Sequence, residues 1–155
     1  MLGPPIDAWY VWIGVSLVSL AVLGVAVVAT PEPLSNAEAA AETIEQVDSS
    51  RPPATATHDI DAERVRIGEY RLVLEGEDTE RATIDHGRMA AAPRGTDLRR
   101  VALGASPESV FASEWAFGEA VEAARSEQRI VEPAGDRLVV RKVSYGGSNV
   151  LLVTA

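Results

Sequence analysis

The chain has 155 residues, no cysteine, and 23 acidic against 14 basic side chains, a formal net charge of −9. That length leaves room for one small folded domain beside any anchor. The missing cysteines exclude disulfides and thiolate metal sites, and the acidic balance argues against nucleic acid, whose binders need basic patches to displace counterions.

After a short tail, residues 1–7, the chain carries no charge between Asp7 and Glu32. Residues 8–29, AWYVWIGVSLVSLAVLGVAVVA, would form a helix of about 33 Å. A bilayer core is roughly 30 Å thick, so this segment predicts a single transmembrane helix with membrane lipid as its partner. The hydroxyls of Ser16 and Ser19 can bond back to their own helix. Trp9, Tyr10 and Trp12 crowd one end, where amphipathic rings favour the headgroup layer. As a soluble core helix the segment would have to hide an all-round apolar surface in a very small domain. Val27 and Ala29 satisfy the small-residue rule for cleavage before Thr30. However, the stretch is long for a signal peptide and Met1–Asp7 carries no base, so the segment is expected to stay attached. The nearest base, Arg51, is too distant for the positive-inside rule to orient the span. A short, nearly neutral N-terminus fits a signal anchor with the C-terminal domain outside the cell membrane.

Residues 30–57 read as a Pro-flanked acidic spacer. Pro31 and Pro33 end the membrane helix. Ser35-Asn36-Ala37-Glu38 then has capping-box form and opens an amphipathic helix over about 36–48. Ala37, Ala40, Ala41, Ile44 and Val47 share one face, and Glu38, Glu42 and Glu45 share the other. The alanine face is too thin for insertion into lipid. It either docks on the chain's own domain or meets a partner's helix. Ser49–Thr57, with Pro52-Pro53, reads as a linker.

Residues 58–155 read as a small α+β domain. Arg64–Ile67 and Arg71–Glu75 are β-prone runs around a turn at Gly68, and Gly76-Glu77-Asp78 turns into a further run, Thr79–Asp85. Leu98–Leu103 is another candidate strand. Ser106-Pro107 opens a helical stretch with proline in its first turn. That stretch runs, with a break near Ser113, to about Glu127, with Val110, Trp115, Val121 and Ala124 as candidate core. Arg137–Tyr145 and Asn149–Val153 flank Gly146-Gly147-Ser148, a β-hairpin signal, and Val150–Val153 reads as buried on both faces. The expected domain is a mainly antiparallel sheet covered by the one helical segment.

The chemistry-bearing residues are few. His58-Asp59-Ile60-Asp61 and Asp85-His86-Gly87 gather ligand types without metal or general-base spacing, and read as solvated turns. Glu75, Glu77, Asp78 and Glu80 lack the alternation of a calcium loop. Gly146-Gly147-Ser148 lacks the Lys-Ser/Thr of a phosphate loop, and no Gly-x-Ser-x-Gly elbow occurs. Trp115 and Phe117 read as core rather than as a binding platform. No catalytic residue, metal, cofactor or small-molecule ligand is expected.

Lys142 is the only lysine in the chain, and an acidic, lysine-poor, Ala/Val-rich composition is that expected of an extreme halophile. With Asp7-Ala-Trp-Tyr-Val-Trp-Ile-Gly14, the acidic alanine-rich spacer and the terminal Arg137-Leu-Val-Val-Arg-Lys-Val-Ser-Tyr-Gly-Gly147 run, the chain resembles a family of uncharacterised haloarchaeal membrane-anchored proteins. The resemblance implies an accessory role near pilus-like or type II/IV secretion-like machinery. Likeness to type IV pilins is looser, because Pro31 and Pro33 interrupt what a pilin runs as one helix. The expected function is therefore contact with protein partners in the envelope. A surface module for a solute or cation is the alternative, and an anchored hydrolase using His58 or His86 comes third.

Overall fold

The first helix, α1 (Asn36–Ser49), starts where the capping box places it. Ser35 Oγ accepts from Glu38 N at 3.2 Å, and Glu38 Oε2 accepts from Ser35 N at 2.9 Å. These bonds satisfy amide groups that have no partner within the helix. In this computed structural model the described residues are 34–126 and 130–155, with backbone alone at 130–133. The 8–29 span, with Trp9, Tyr10 and Trp12, lies outside them. Among the described residues no helix is long and apolar enough to cross a membrane.

Two four-stranded sheets follow α1. The first runs β1 (Ala54–Asp59), β7 (Arg137–Tyr145), β8 (Ser148–Thr154) and β5 (Met89–Ala91); the second runs β4 (Thr79–Thr83), β3 (Arg71–Glu75), β2 (Arg64–Ile67) and β6 (Ile130–Pro133). All pairings are antiparallel except β5 with β8. The expected hairpin forms β7 and β8, with Tyr145 opposite Ser148. Both loop residues have positive φ, 60° at Gly146 and 74° at Gly147, a backbone that only glycine adopts cheaply.

The first sheet is covered on both sides. Leu138, Val140, Leu151 and Val153 face Val65, Ile67, Leu72 and Leu74 of the second sheet in one core, which the apolar face of α1 completes. Val143, Val150 and Leu152 point the other way into a second core. There they meet α2 (Asp97–Ala102) and α4 (Glu114–Ser126), with α3 (Pro107–Val110) preceding α4. Burial on both faces explains the unbroken apolar run Val150–Val153.

Several sequence expectations change. Residues 34–155 form one compact unit, so α1 and β1 belong to the domain rather than to a spacer. The alanine face of α1 is seated in that domain: Ala37, Ala40 and Ile44 are 0 % exposed, and Ala41 and Val47 are also buried. That face is closed to a partner's helix. Leu98–Leu103 is helical, not a strand. Thr96 caps α2 by accepting from Arg99 N, and Leu98, Val101 and Ala102 recur at the i, i+3, i+4 spacing of one helical face. The break before α4 falls at Phe111–Ser113. Trp115 is 74 % exposed, so it is not core; Phe117 and Val121 hold that role, with Val110 and Ala124 at its margin.

These placements set two expectations for stability. Ile44→Ala opens a cavity under α1 and is expected to cost roughly 2–5 kcal/mol in one cooperative unfolding transition of the domain. An unchanged denaturation midpoint would mean that α1 is not part of it. In the second core, Phe117→Ala is expected to cost about 3–5 kcal/mol. Trp115→Ala should stay within about 0.5 kcal/mol, as surface changes do. Thermal melts of the two variants side by side check the contrast.

Candidate functional site

Much of the chemistry that the sequence offers is spent on seating α1. Thr43 Oγ1 donates to the Ala39 carbonyl at 3.1 Å and lies 3.3 Å from His58 Nδ1. His58 Nε2 lies 3.2 Å from Asn36 Oδ1. With both ring nitrogens engaged by α1, His58 directs no lone pair to a metal or substrate. Glu80 is also committed, because its Oε2 accepts from Ala37 N at 2.8 Å, where the positive end of the helix dipole favours a carboxylate. Glu45 Oε1 accepts from Asp85 N at 3.0 Å.

At the other end of α1, Lys142 donates to the Asp48 carbonyl and lies 3.3 Å from Asp48 Oδ1. Its side chain is 13 % exposed. The single lysine is thus a covered cation at a helix C-terminus, where the dipole favours positive charge. His86 and Asp85 stay at the surface. Among the described residues no three of His, Asp and Glu converge as metal ligands.

What remains open lies between α4 and the β7–β8 hairpin, in a groove of about 840 Å³. Its floor is built by Phe117, whose ring meets Tyr145 edge-on at 5.6 Å between centroids, and by Val121 and Val150. Trp115 stands on its rim. The opposite wall is the start of β8. β5 pairs only with Leu151, Leu152 and Val153, so no strand among the described residues pairs with Ser148–Val150 on that side. Gly87 turns the chain away just before β5, with φ 84° and an ideal Cβ position only 2.7 Å from Asp48 Cγ. A residue with a side chain there would push against the carboxylate that holds Lys142.

This surface joins an exposed indole, an apolar floor and a stretch of strand backbone without a neighbour. Exposed aromatic anchors contribute strongly to binding when a partner covers them. An unpaired strand edge offers main-chain hydrogen bonds to an added strand. The sequence hid this site because Trp115 and Phe117 are both aromatic and only one of them enters the core. Its one legible signal was that residues two apart in a 3.6-residue helix lie about 200° apart, so both cannot point inward.

A family model described as a family of unknown function (DUF7283) matches residues 3–143. Neither a curated protein nor a solved structure matches the chain. The match runs from the tail before the uncharged stretch into β7 and stops short of β8, so the anchor-like segment and most of the domain fall within one family pattern. The chain belongs to the DUF7283 family of unknown function.

Proposed function

We propose that this chain is a membrane-anchored, envelope-exposed accessory or structural protein that acts through protein–protein contacts, in a pilus-like or secretion-like assembly of a haloarchaeal cell. The observation that carries the reading is Trp115, 74 % exposed, over an apolar floor and beside the start of β8, whose edge away from β7 has no partner strand among the described residues. The indole does not stand alone: it adjoins Phe117, Val121 and Val150 along one groove, and a contiguous apolar patch of this kind marks a contact site. The anchor rests on the uncharged 8–29 stretch. Only residues 30–35 separate it from α1, a chain length of roughly 20 Å at full extension. An anchored domain would therefore be tethered to the membrane by a short link.

Two measurements test this. A photoreactive phenylalanine analogue replacing Trp115 is expected to cross-link to another protein in intact membranes. The same analogue at Leu103, 59 % exposed on another part of the surface, should give at least fivefold less adduct. Recovery of uncross-linked monomer alone from both would overturn the contact role. Separately, the full-length chain should stay with the membrane pellet through an alkaline carbonate wash, and its release would remove the anchor from the account.

A further inference from the structure

The second sheet turns one face to the core and the other to solvent, and the solvent face is dominated by arginine. Register places Arg66, Val73 and Arg81 in one cross-strand row, with Arg64 opposite Glu75 on one side of it and Arg71 opposite Thr83 on the other. Alternation along each strand puts all of these on the outer face, because Val65, Ile67, Leu72, Leu74 and Ala82 fill the inner one. Four arginines thus share a surface with one glutamate, in a chain whose net charge is −9. Arg66 reaches Glu75 at 2.7 Å. Arg64, Arg71 and Arg81 are exposed and have no ion-pair partner among the described residues. All of these outer-face residues but Arg64 line a groove of about 690 Å³, bordered by Arg125 of α4 and by Glu69, which is paired with Arg88. The Nε atoms of Arg66 and Arg125 are buried with no hydrogen-bond acceptor among the described residues.

We infer that this groove is a docking site for an acidic polypeptide segment. Guanidinium groups present planar forks that fit carboxylates two bonds at a time. By backbone spacing Arg66 and Arg81 are two strands apart, about 9.5 Å, and Arg71 lies two residues along β3 from the Val73 between them, about 7 Å. One small anion can bridge two such guanidiniums but leaves the rest of the row and its apolar contact uncovered. An extended chain bearing carboxylates at alternate residues, about 7 Å apart on one face, can meet them in turn, while Val73 and the half-exposed ring of Tyr70 offer apolar contact between them. The inference rests on no part of the anchored-accessory reading, since it needs neither the 8–29 segment nor Trp115.

The test uses the full chain in neutral detergent and a labelled ten-residue glutamate peptide at low salt. Binding is expected, weakened at least tenfold by Arg71→Glu with Arg81→Glu. The pair Arg100→Glu with Arg137→Glu makes the same change in net charge at side chains 64 % and 69 % exposed elsewhere, and should alter binding less than threefold. Both double variants should melt like the parent chain. No binding, or equal losses from the two pairs, would overturn the site. Inorganic phosphate or glycerol phosphate displacing the peptide at concentrations where acetate does not would overturn the polypeptide assignment in favour of a phosphate or headgroup site.

Discussion

The domain depends on one helix face fitting between two sheets. α1 is a 14-residue helix, and an isolated helix of that length is marginal in water. It gains its stability from docking. Ala37, Ala40 and Ala41 carry only a methyl group each, which lets the helix backbone come close to strands of both sheets, while Ile44 and Val47 fill the space beyond them. The pattern that looked too thin for lipid is suited to a narrow cleft, where larger side chains would overpack. Without α1, the inner faces of both sheets would lose a shared cover.

Polar contacts then fix the helix along its length and in register. Glu80 holds its first turn, His58 its middle, and Lys142 its last residues. Each of these partners sits on a strand, so the helix is tied to both sheets. The lysine is informative about composition. On an acidic surface at high salt, a long apolar stem with a compact charge is a poor choice. At position 142 the stem is packed and the ammonium meets a carboxylate and a carbonyl oxygen, so the arguments against lysine lapse. A planar guanidinium, larger and already forked, would not fit the same point contact. The one lysine thus stands where a covered cation is needed.

How much of this could be read from the residues varies with the length of the signal. The capping box, β2, β3 and the glycine hairpin were legible because each is a local pattern with its own chemistry. β1 was not, since Ala54, Ala56 and His58 alternate against Thr55, Thr57 and Asp59 with little contrast in hydrophobicity. Its neighbour is β7, from 78 (Asp59 with Arg137) to 88 (Ala54 with Lys142) residues away in sequence, and that pairing is what makes it a strand. β5 is three residues joined in parallel and leaves no period to detect. Leu98–Leu103 misled because six residues with apolar positions at 98, 101, 102 and 103 are too few to fix a period, and the Thr96 cap was the feature that decides it. Outward arginines at 64, 66, 71 and 81 were visible as alternation, but their convergence on one face follows from the register of three strands.

The two open surfaces differ in charge for a structural reason. Arg125 borders both grooves, yet its charge is already met: Nη1 lies 2.8 Å from Glu122 Oε1, and Nη2 donates to the Arg88 carbonyl at 3.0 Å. Arg88 in turn pairs with Glu69. This ionic wall is internally neutral and separates an indole-rimmed, apolar groove from an arginine face where, among the described residues, only Arg66 has a paired carboxylate. On the proposed readings a partner of the first surface would offer apolar area and backbone, and a partner of the second would offer carboxylates. Two proposed contact surfaces so different would be heterologous, joining unlike neighbours without the closure that a self-complementary patch imposes.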